Sequence, residues 1–451
     1  MAANASAAIA RFAARRCAIT AAQRQVAFRA LLDTFAVAAA AQDENTVALA
    51  RGYVAEVVGH GRARAWVTGE RVPAESAAWL NAIAAHVLDY DDVLTPMRAH
   101  VSAILVPALL ALHDRTPASS PGFAAAYVAG FEVMAKFARA MALDHYSKGW
   151  HSTSALGVLG VTVACCVLLD AEEAAIVDAL GLAVAQAAGT RENFGAMAKS
   201  FQAGVCAAAA VRAALLANDG FTSSPSAIDG RYGYMHLYAN DEDLHATLAT
   251  LGEVPLEIDA MGIDQKKYPC CYGVHRAIDA TLALCREHSL GYDDPASIEV
   301  LTSARGREAL IAHLPRDPMQ AKFSMEYALA SAIVDRQVSM ATFTEASFER
   351  DDVRALMRKV TLEESAGAVL PRWSEVTIVT RDGARRSKRV EVAHGDAPDP
   401  MTDVELAAKA RDCFAAAGYG GEGVIARVLD TGLTDEARVA ACLVSLDRVK
   451  Q

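Results

Sequence analysis

The sequence predicts a mainly α-helical protein, built as a large all-helical domain plus a smaller α+β domain. Three observations lead to this fold class. The first half of the chain is rich in alanine and in apolar residues at helical spacing, short β-type runs follow it, and the helical pattern returns after Pro400. A chain of 451 residues also exceeds one ordinary core, which favours two domains. We expect residues 1–265 and 401–451 to form the helical domain and residues 266–400 to form the α+β domain.

The helical domain is predicted from apolar residues that recur every three or four positions. In the first long segment Asp33 and Arg29 fall on the opposite, polar side of this pattern. The glycine-broken segment 58–73 predicts a loop or a short extended piece. The segments predicted to be helical are 7–41, from 74 into the acidic cluster described below, 107–113, 122–143 and 155–169. The C-terminal tail is expected to pack back on this domain.

The α+β domain is predicted from alternating strand and helix signals. The β-type runs lie at 298–302, 360–362 and 375–380. A turn at 381–383, with the sequence RDG, joins the last run to RVEVAHG, which indicates a hairpin. Helical stretches are predicted at 274–287 and 325–335, and the domain boundary is expected between Ile263 and Tyr268.

Bulk composition excludes several classes of protein. The net charge of −11 argues against a nucleic-acid partner, because phosphates would be repelled. The longest apolar run, 155–169, is shorter than the roughly 18 residues that a membrane-spanning helix needs, so no membrane partner is expected. The nine cysteines show no CxxC spacing, and several lie in apolar helices. This usage favours a reducing cytoplasm.

A cluster of ionisable residues interrupts the apolar texture in the stretch AHVLDYDDVLTPMRAHVSAILVP. It contains His86, Asp89, Asp91, Asp92 and His100. Buried ionisable groups are unstable unless they are paired, so such a cluster between apolar helices is a candidate site. On the helical period His86 and Asp89 could share one face, and the loop before His100 could return that imidazole over the carboxylates. The alternative is a solvated helix C-terminus with ordinary surface acids.

Three further polar islands occur along the chain, at 148–154, 197–202 and 266–275. The glycine fingerprints of nucleotide-binding loops are absent, and so are the GxSxG and HExxH patterns. For Ser152, Thr153 and Ser154 simple helix N-capping is the alternative to ligand contact. For Lys266 and Lys267 the alternative is a solvated basic pair at a domain junction.

The residue types also raise the alternative of a metal site. Asp89, Asp91, His100 and His151 offer carboxylate and imidazole ligands that suit several divalent ions. No tight ligand spacing supports such a site, so we expect no metal and no other cofactor.

Five blocks of the sequence, in order, resemble the signatures of the MmgE/PrpD family. The blocks are HVLDYDD with AHVSAILVPALLAL, then GWHSTSALGVLG, NFGAMAKSFQAG, KKYPCCYGVHRAIDA and AKFSMEYALA. The family includes 2-methylcitrate dehydratases, cis-aconitate decarboxylases and an iminodisuccinate epimerase. The resemblance implies a helical domain, a smaller α+β lid domain closing over it, a homodimer, and a cofactor-free site between the domains.

The resemblance also implies which residues form the site. Carried across block by block, they are Asp89, His100, His151, Lys199, Lys266 and Tyr327. The chain departs from four common motifs of the family. Val93 stands at the last position of Asp-Asp-Thr, and Val101 and Ser152 replace the prolines of His-Pro-Ser and His-Pro-Thr. In Thr-Lys-Pro, Ala198 replaces the threonine and Ser200 replaces the proline. The lost prolines loosen the loops that present the ionisable groups. The decarboxylases have a histidine near the position of Cys271, which makes that activity a weaker expectation here.

The implied chemistry assigns a role to each group. Removing a proton next to a carboxylate needs a base, cations for the developing charge, and exclusion of water. We expect His151 to be the base, with His100 second, because the apolar helix beginning near Thr153 could hold a substrate carboxylate at its N-terminus. Asp89 would orient a histidine, and Tyr327 would donate a proton. Lys199 is expected among the catalytic groups, where its charge would also attract the substrate anion. The substrate-binding candidates are Lys266, Lys267, Thr153 and His275.

The sequence therefore predicts a lyase that eliminates water from a small hydroxylated di- or tricarboxylic acid. The alternative is an isomerase that epimerises a dicarboxylate, since both reactions begin with the same proton abstraction. A cis-aconitate decarboxylase or a non-catalytic binding protein is less expected. The partner is a small anionic carboxylate, and the state of assembly is expected to be a homodimer.

Overall fold

The chain divides into two compact units. The computed structural model describes residues 4–16, 18–239 and 244–443. Unit 1 contains the described residues up to Arg191, from Ser200 to Asp264, and from Thr402 onward. Unit 2 contains Glu192–Lys199 and Gln265–Met401. The segment Glu192–Lys199 thus groups with unit 2, whereas the sequence placed it in the helical domain.

The described residues are mainly α-helical, which confirms the predicted class. The α-helices are α1 Ala5–Ala14, α2 Ala21–Ala40, α3 Asn45–Val57, α4 Ala74–Val87, α5 Ser102–Ala111, α6 Phe123–Ser147, α7 Ser152–Ala155, α8 Gly157–Leu168, α9 Glu173–Val184, α10 Ala198–Asn218, α11 Tyr234–Tyr238, α12 Leu244–Ala249, α13 Glu257–Ala260, α14 His275–Glu287, α15 Pro318–Ala321, α16 Met325–Asp335, α17 Glu345–Phe348, α18 Asp351–Met357, α19 Asp403–Ala416, α20 Glu422–Leu429 and α21 Asp435–Leu443. The strands are β1 Ala63–Arg64, β2 Arg71–Val72, β3 Pro295–Thr302, β4 Val360–Glu364, β5 Ser374–Thr380 and β6 Arg385–Val390.

Unit 1 is built around α2, α4, α5, α6 and α8. Helix α2 packs against α4, α5 and α6, and the tail helices α19 and α20 also pack against it. Helices α5 and α8 are apolar nearly all round and every one of their residues is buried, as expected for central helices. Between α3 and α4, the glycine-broken segment forms the two-stranded antiparallel pair β1–β2.

One prediction about unit 1 is wrong. Asp33 does not lie on a polar face of α2, because its side chain is buried and pairs with Lys409 of α19. A carboxylate is stable in such a position only when it is paired, and a residue far along the sequence supplies the charge here.

One helix among the described residues, α10, is long and apolar enough to cross a bilayer when judged by length and composition alone. In the structure 72% of its apolar window is buried inside the protein, as in a core helix.

Unit 2 contains a four-stranded mixed sheet in the order β4-β3-β5-β6. Strand β3 pairs parallel with β4 and antiparallel with β5, and β5 pairs antiparallel with β6. The amphipathic helix α14 packs against β5 and β6, and α16 packs against α14 and β4. The predicted hairpin forms, but β6 begins at Arg385, directly after the turn, and ends at Val390, so most of RVEVAHG lies beyond it.

Helices α6 and α8 approach each other closely at two glycines. A Cβ at Gly130 would lie 2.7 Å from the Cβ of Ala164 and 2.7 Å from the carbonyl oxygen of Gly160. Neither neighbour is a flexible side-chain end, so a methyl group here would force the two helices apart. The crossing therefore depends on the absence of side chains at this point.

We expect the Gly130→Ala variant to be less stable than the parent by about 1–3 kcal/mol, the usual effect of overpacking a core. The matched control is Gly52→Ala at an exposed position of α3, where an added Cβ meets nothing within 4 Å. That variant should be as stable as the parent or more stable by up to about 1 kcal/mol, since alanine favours helix. Thermal unfolding measures both changes, and equal shifts for the two variants would contradict the close approach.

Candidate active site

The polar cluster predicted at Asp89–His100 lies in an irregular loop between α4 and α5. Helix α4 ends at Val87, and Asp89 adopts the left-handed conformation with φ of 53°. A backbone pairing between Val93 and Asp264 holds the middle of the loop, and the amide of Leu94 donates to the carbonyl of Ala99 at 2.9 Å. Because the loop is fixed at both places, it brings His100 back beside the carboxylates, as the sequence predicted.

The side chains of His86, Asp89, Asp91 and His100 form what we call the imidazole–carboxylate cluster. One oxygen of Asp91, Oδ2, lies 2.8 Å from Nδ1 of His86 and 2.9 Å from Nδ1 of His100. The other ring nitrogen of His100, Nε2, lies 3.6 Å from Oδ1 of Asp89. The two imidazole rings meet edge to face with centroids 4.4 Å apart. Asp91 is therefore the centre of the cluster.

The partner of His86 differs from the one suggested by helical spacing. His86 was expected to share a helix face with Asp89, but α4 ends between them and Asp89 turns away with positive φ. The imidazole of His86 is instead hydrogen-bonded to Asp91, which lies in the loop. The alternative of a solvated helix end is excluded, since His86, Asp89 and Asp91 are all buried.

Electrostatics keep Asp91 ionised. Burial alone would raise the pKa of its carboxyl group, but the charges and hydrogen bonds of His100 and His86 outweigh burial and hold the pKa well below its usual range. By reciprocity the carboxylate stabilises the positively charged form of the imidazoles it contacts. The cluster thus joins an ionised carboxylate to two imidazoles.

The next residue, Asp92, behaves differently. Its carboxylate accepts hydrogen bonds from the amide of Ser102, at 3.1 Å, and from the hydroxyl of Ser102, which also lies 2.6 Å from the hydroxyl of Tyr127. Burial raises the pKa of Asp92 to about 7, and the nearby charges of Asp33 and Asp91 add to the shift against the hydrogen bonds of Ser102. Asp92 thus ties the loop to the first turn of α5.

His151 and Thr153 lie on the other side of this cluster. The ring of His151 stacks on that of His86 with centroids 5.9 Å apart and an interplanar angle of 21°. The hydroxyl of Thr153 accepts a hydrogen bond of 3.0 Å from the backbone amide of His100. Thr153, predicted to bind substrate, therefore holds the backbone of His100.

The helical segment beside His151 begins at Ser152, close to the expected start near Thr153. It is interrupted at Leu156, so its first turn, α7, has four residues and the apolar helix α8 continues from Gly157. The side-chain hydroxyls of Ser152 and Ser154 do not cap α7, because Ser152 lies 3.3 Å from the imidazole of His145 and Ser154 donates to the carbonyl of Ala188. His151 itself is buried.

His145 supports this region as a neutral imidazole. It stacks on Trp150 and Tyr238, with centroids 6.0 Å and 6.2 Å away. Burial, together with the charge of Lys148, lowers the pKa of His145 to about 3. A neutral ring suits its aromatic neighbours and the hydroxyl of Ser152.

The three predicted lysines, Lys199, Lys266 and Lys267, lie in unit 2. Lys199, in the first turn of α10, is buried, and its ammonium group lies 5.6 Å from the ring centroid of Phe194 and 5.5 Å from that of Phe323. Lys266 is fully buried, so the alternative of a solvated basic pair is excluded for it. Lys267 fits that alternative, because its side chain is 39% exposed and its ammonium lies 3.6 Å from Asp279.

His275 and Tyr327 belong to the interior of unit 2. The ring of His275 packs between Tyr268 and Tyr272, and its Nε2 lies 3.3 Å from the carbonyl oxygen of Cys270. Both tyrosine contacts point to a packing role for His275.

Tyr327 is part of the hydrophobic core of unit 2, between Phe343 and Phe348. Its hydroxyl donates a hydrogen bond of 2.7 Å to the carbonyl of Thr342. Burial raises the pKa of Tyr327 to about 12. This geometry argues against the predicted role of proton donor, since the hydroxyl proton is already committed to a backbone oxygen.

The sequence did not identify Lys409 as part of the site, and it assigned Asp33 to a helix surface, yet the two pair beside the site loop. Lys409 of α19 places its ammonium 2.8 Å from Asp33 and 2.8 Å from the carbonyl oxygen of Tyr90. The only sign of these residues in the sequence is a charge within an alanine-rich helix. Asp33 lies in ALLDTFAVAAA and Lys409 lies in ELAAKARDCFAAA. Neither segment shows which distant residue neutralises its charge.

Comparison with known proteins decides the family. The model of the MmgE/PrpD N-terminal domain matches residues 7–247, and that of the MmgE/PrpD C-terminal domain matches residues 268–427. The chain belongs to the MmgE/PrpD family. The resemblance of the five sequence blocks is thereby confirmed.

Relatives within this family include three cis-aconitate decarboxylases. The protein from Homo sapiens is 25% identical over 354 residues, which cover 76% of this chain and 73% of the relative. The protein from Mus musculus is 25% identical over 368 residues, which cover 76% of this chain and 72% of the relative. The protein from Aspergillus terreus is 25% identical over 417 residues, which cover 84% of this chain and 80% of the relative. These relatives are lyases, so the MmgE/PrpD chain belongs to a family of enzymes.

The residues of this MmgE/PrpD chain that could bind a metal differ from the set suggested by the sequence. One ligand atom each from His86, Asp89, Asp91 and His100 lie within 4.8 Å of one another, so His86 replaces His151. Binding an ion there would remove the proton that joins His86 to Asp91. The donor types would fit a divalent transition metal, and the absence of a metal remains a prediction.

The raised pKa of Asp92 predicts a specific pH dependence of stability. Between the ordinary carboxyl pKa of 3.8 and about 7, the folded protein holds a proton that the unfolded chain has released. The contribution of Asp92 to the unfolding free energy therefore falls as pH rises through this window. The variant Asp92→Asn does not titrate, so it should gain stability relative to the parent between pH 4 and pH 8, by a few kcal/mol at roughly 1.4 kcal/mol per pKa unit.

Urea unfolding of parent and variant at several pH values measures this difference. The matched control is Asp114→Asn, which alters a carboxylate that is 39% exposed and paired with Arg71. The control should follow the parent at every pH. Parallel curves for Asp92→Asn and the parent would show that Asp92 titrates normally.

Proposed function

We propose that this chain is a lyase that acts on a small di- or tricarboxylate and transfers protons through His100. The observation that carries the proposal is the shared oxygen of Asp91, placed 2.8 Å and 2.9 Å from two imidazoles in a buried cluster. An imidazole oriented by a carboxylate is the usual arrangement of a general base. Membership of the MmgE/PrpD family supports an enzyme, and the names of its relatives support a lyase.

The contacts favour His100 over His151 as the proton-transferring group. His100 has an orienting carboxylate at Nδ1, a second carboxylate 3.6 Å from Nε2, and a side chain that is 13% exposed. His151 is more deeply buried, and its ring packs on His86 rather than on a carboxylate. We therefore reverse the order of the two imidazoles and keep His151 as the second candidate.

The reaction we place first is elimination of water. His100 would take the proton from the carbon next to a carboxylate, and the electron pair would form the double bond as hydroxide leaves with a proton from a second acid. Lys199 and Lys266 are proposed to neutralise the substrate carboxylates, which would allow an acidic protein to bind an acid. The decarboxylases have a histidine near the position of Cys271, and this chain lacks it. That difference favours dehydration over decarboxylation.

Decarboxylation of cis-aconitate is the second candidate, because three relatives that cover most of the chain carry that name. It would use the cluster differently. Loss of carbon dioxide leaves an electron pair on carbon, and an imidazolium must then deliver a proton to it. The imidazole–carboxylate cluster suits this step as well, since Asp91 stabilises protonated imidazole. A cytoplasmic homodimer without nucleic-acid or membrane partners remains part of the proposal.

The reaction class is tested by incubating the protein in heavy water with 2-methylcitrate, other hydroxylated di- and tricarboxylates, and cis-aconitate, followed by proton NMR. We expect an alkene to appear from a hydroxy acid, with no loss of rate when a chelator is added. Carbon dioxide released from cis-aconitate would establish decarboxylation instead. Deuterium incorporation with inversion would establish an epimerase. No change in any acid would overturn the enzyme proposal and favour a binding protein.

The base is tested by comparing His100→Gln with His151→Gln on a substrate that the parent converts. Loss of a general base lowers turnover by ~10² to 10⁴, so we expect that loss for His100→Gln and a loss below about 10-fold for His151→Gln. His60→Gln, at an exposed position, is the matched control and should be unaffected. A larger loss for His151→Gln than for His100→Gln would restore the order that the sequence suggested.

A further inference from the structure

The C-terminal tail contributes a buried lysine, Lys409, that contacts the loop carrying the imidazole–carboxylate cluster. The side chain of Lys409 is only 3% exposed. Its ammonium contacts three groups, namely the carboxylate of Asp33 at 2.8 Å, the carbonyl oxygen of Tyr90 at 2.8 Å, and the face of the Tyr90 ring, whose centroid is 4.0 Å away. Lysine is almost never buried unless it is paired, and here one of its partners is a backbone oxygen inside the site loop.

That backbone oxygen lies at a critical point of the loop. The peptide of Tyr90 connects Asp89 to Asp91, the two carboxylates that contact His100. No regular secondary structure holds this turn, and Asp89 has a positive φ that few residues adopt. The two residues that follow Tyr90 are held by His86 through Asp91 and by Ser102 through Asp92. Lys409 supplies the anchor directly before them.

The charge of Lys409 matters as much as its hydrogen bond. Asp33, Asp91 and Asp92 are all buried. The charge of Asp91 raises the pKa of Asp33, and the charges of Asp33 and Asp91 raise the pKa of Asp92. Burial raises the pKa of Asp33, and Lys409 is the main group that opposes this shift. Without the ammonium, the interior would hold one more uncompensated carboxylate next to the cluster, or Asp33 would take up a proton.

We propose that Lys409 is a positioning residue for the proton-transfer site: it anchors the Tyr90 carbonyl and compensates Asp33, and so fixes where the Asp91 carboxylate meets His100. This inference rests on the proposed function for its kinetic consequences. Its structural content, the placement of Asp91 against His100, is independent of the substrate. A misplacement of about 1 Å in such a site lowers turnover by ~10², even when the altered residue does not touch the substrate.

Three variants separate positioning from simple stabilisation. Lys409→Met removes both the anchor and the charge, while keeping the length and apolar stem of the side chain. The double variant Asp33→Asn with Lys409→Met removes both members of the ion pair, so no unpaired charge stays buried, but the Tyr90 carbonyl still lacks its anchor. Lys136→Met is the matched control, because it breaks another buried lysine pair, 2.8 Å from Glu257, away from the site loop.

We expect Lys409→Met to lower both the unfolding temperature and kcat, the latter by about 10- to 100-fold with KM changed less than about 3-fold. The double variant should regain most of the unfolding temperature while kcat stays low. Lys136→Met should lose stability and keep its kcat. If the double variant regains kcat together with stability, Lys409 is only structural and the proposal is overturned.

A second measurement does not need a substrate. The ¹⁵N spectrum of labelled histidine reports the hydrogen bonding of each imidazole, and the signal of His100 is assigned by its loss in His100→Gln. The signal should shift in Lys409→Met and in the double variant, and stay in place in Lys136→Met. An unchanged His100 signal in Lys409→Met overturns the positioning role. If no acid is turned over, the proposed function fails and this spectrum still decides the role of Lys409.

Discussion

The candidate site depends on one buried, ionised carboxylate. Asp91 lies out of contact with solvent in a helical unit whose central helices are almost entirely apolar. Such a group is stable only where positive charge and N–H donors surround it. His86 and His100 meet this requirement directly, and the loop geometry that presents His100 follows from it. The catalytic potential of the cluster and the stability of the surrounding fold are therefore two consequences of the same interaction.

The elements that were predictable from sequence are those set by local pattern. Helix α16 occupies Met325–Asp335, as apolar spacing indicated, and the hairpin after β5 follows from its glycine turn. The return of His100 over the carboxylates was also readable, because a short polar loop between two apolar helices has few ways to run. The family was recognisable because several ordered blocks matched together.

The remainder was not predictable because it depends on contacts between distant residues. Asp33 and Lys409 are separated by most of the chain, and each alone looks like an ordinary helix-surface charge. Tyr327 has the residue type of a proton donor, yet its place between Phe343 and Phe348 is a property of the folded core of unit 2. For His86, the end of α4 one residue later changed its partner from Asp89 to Asp91. Residue type and spacing suggest candidates, whereas packing selects among them.

Charge balance links the buried network to chemistry. The ammonium of Lys409 compensates Asp33, and burial raises the pKa of Asp92 to about 7. Asp91 remains ionised, so its compensation must come from the imidazoles that contact it. Both imidazoles therefore contact a carboxylate that stays charged. A site of this kind keeps a proton available beside an imidazole that can also accept one, which is the requirement shared by elimination of water and by protonation of carbon after decarboxylation.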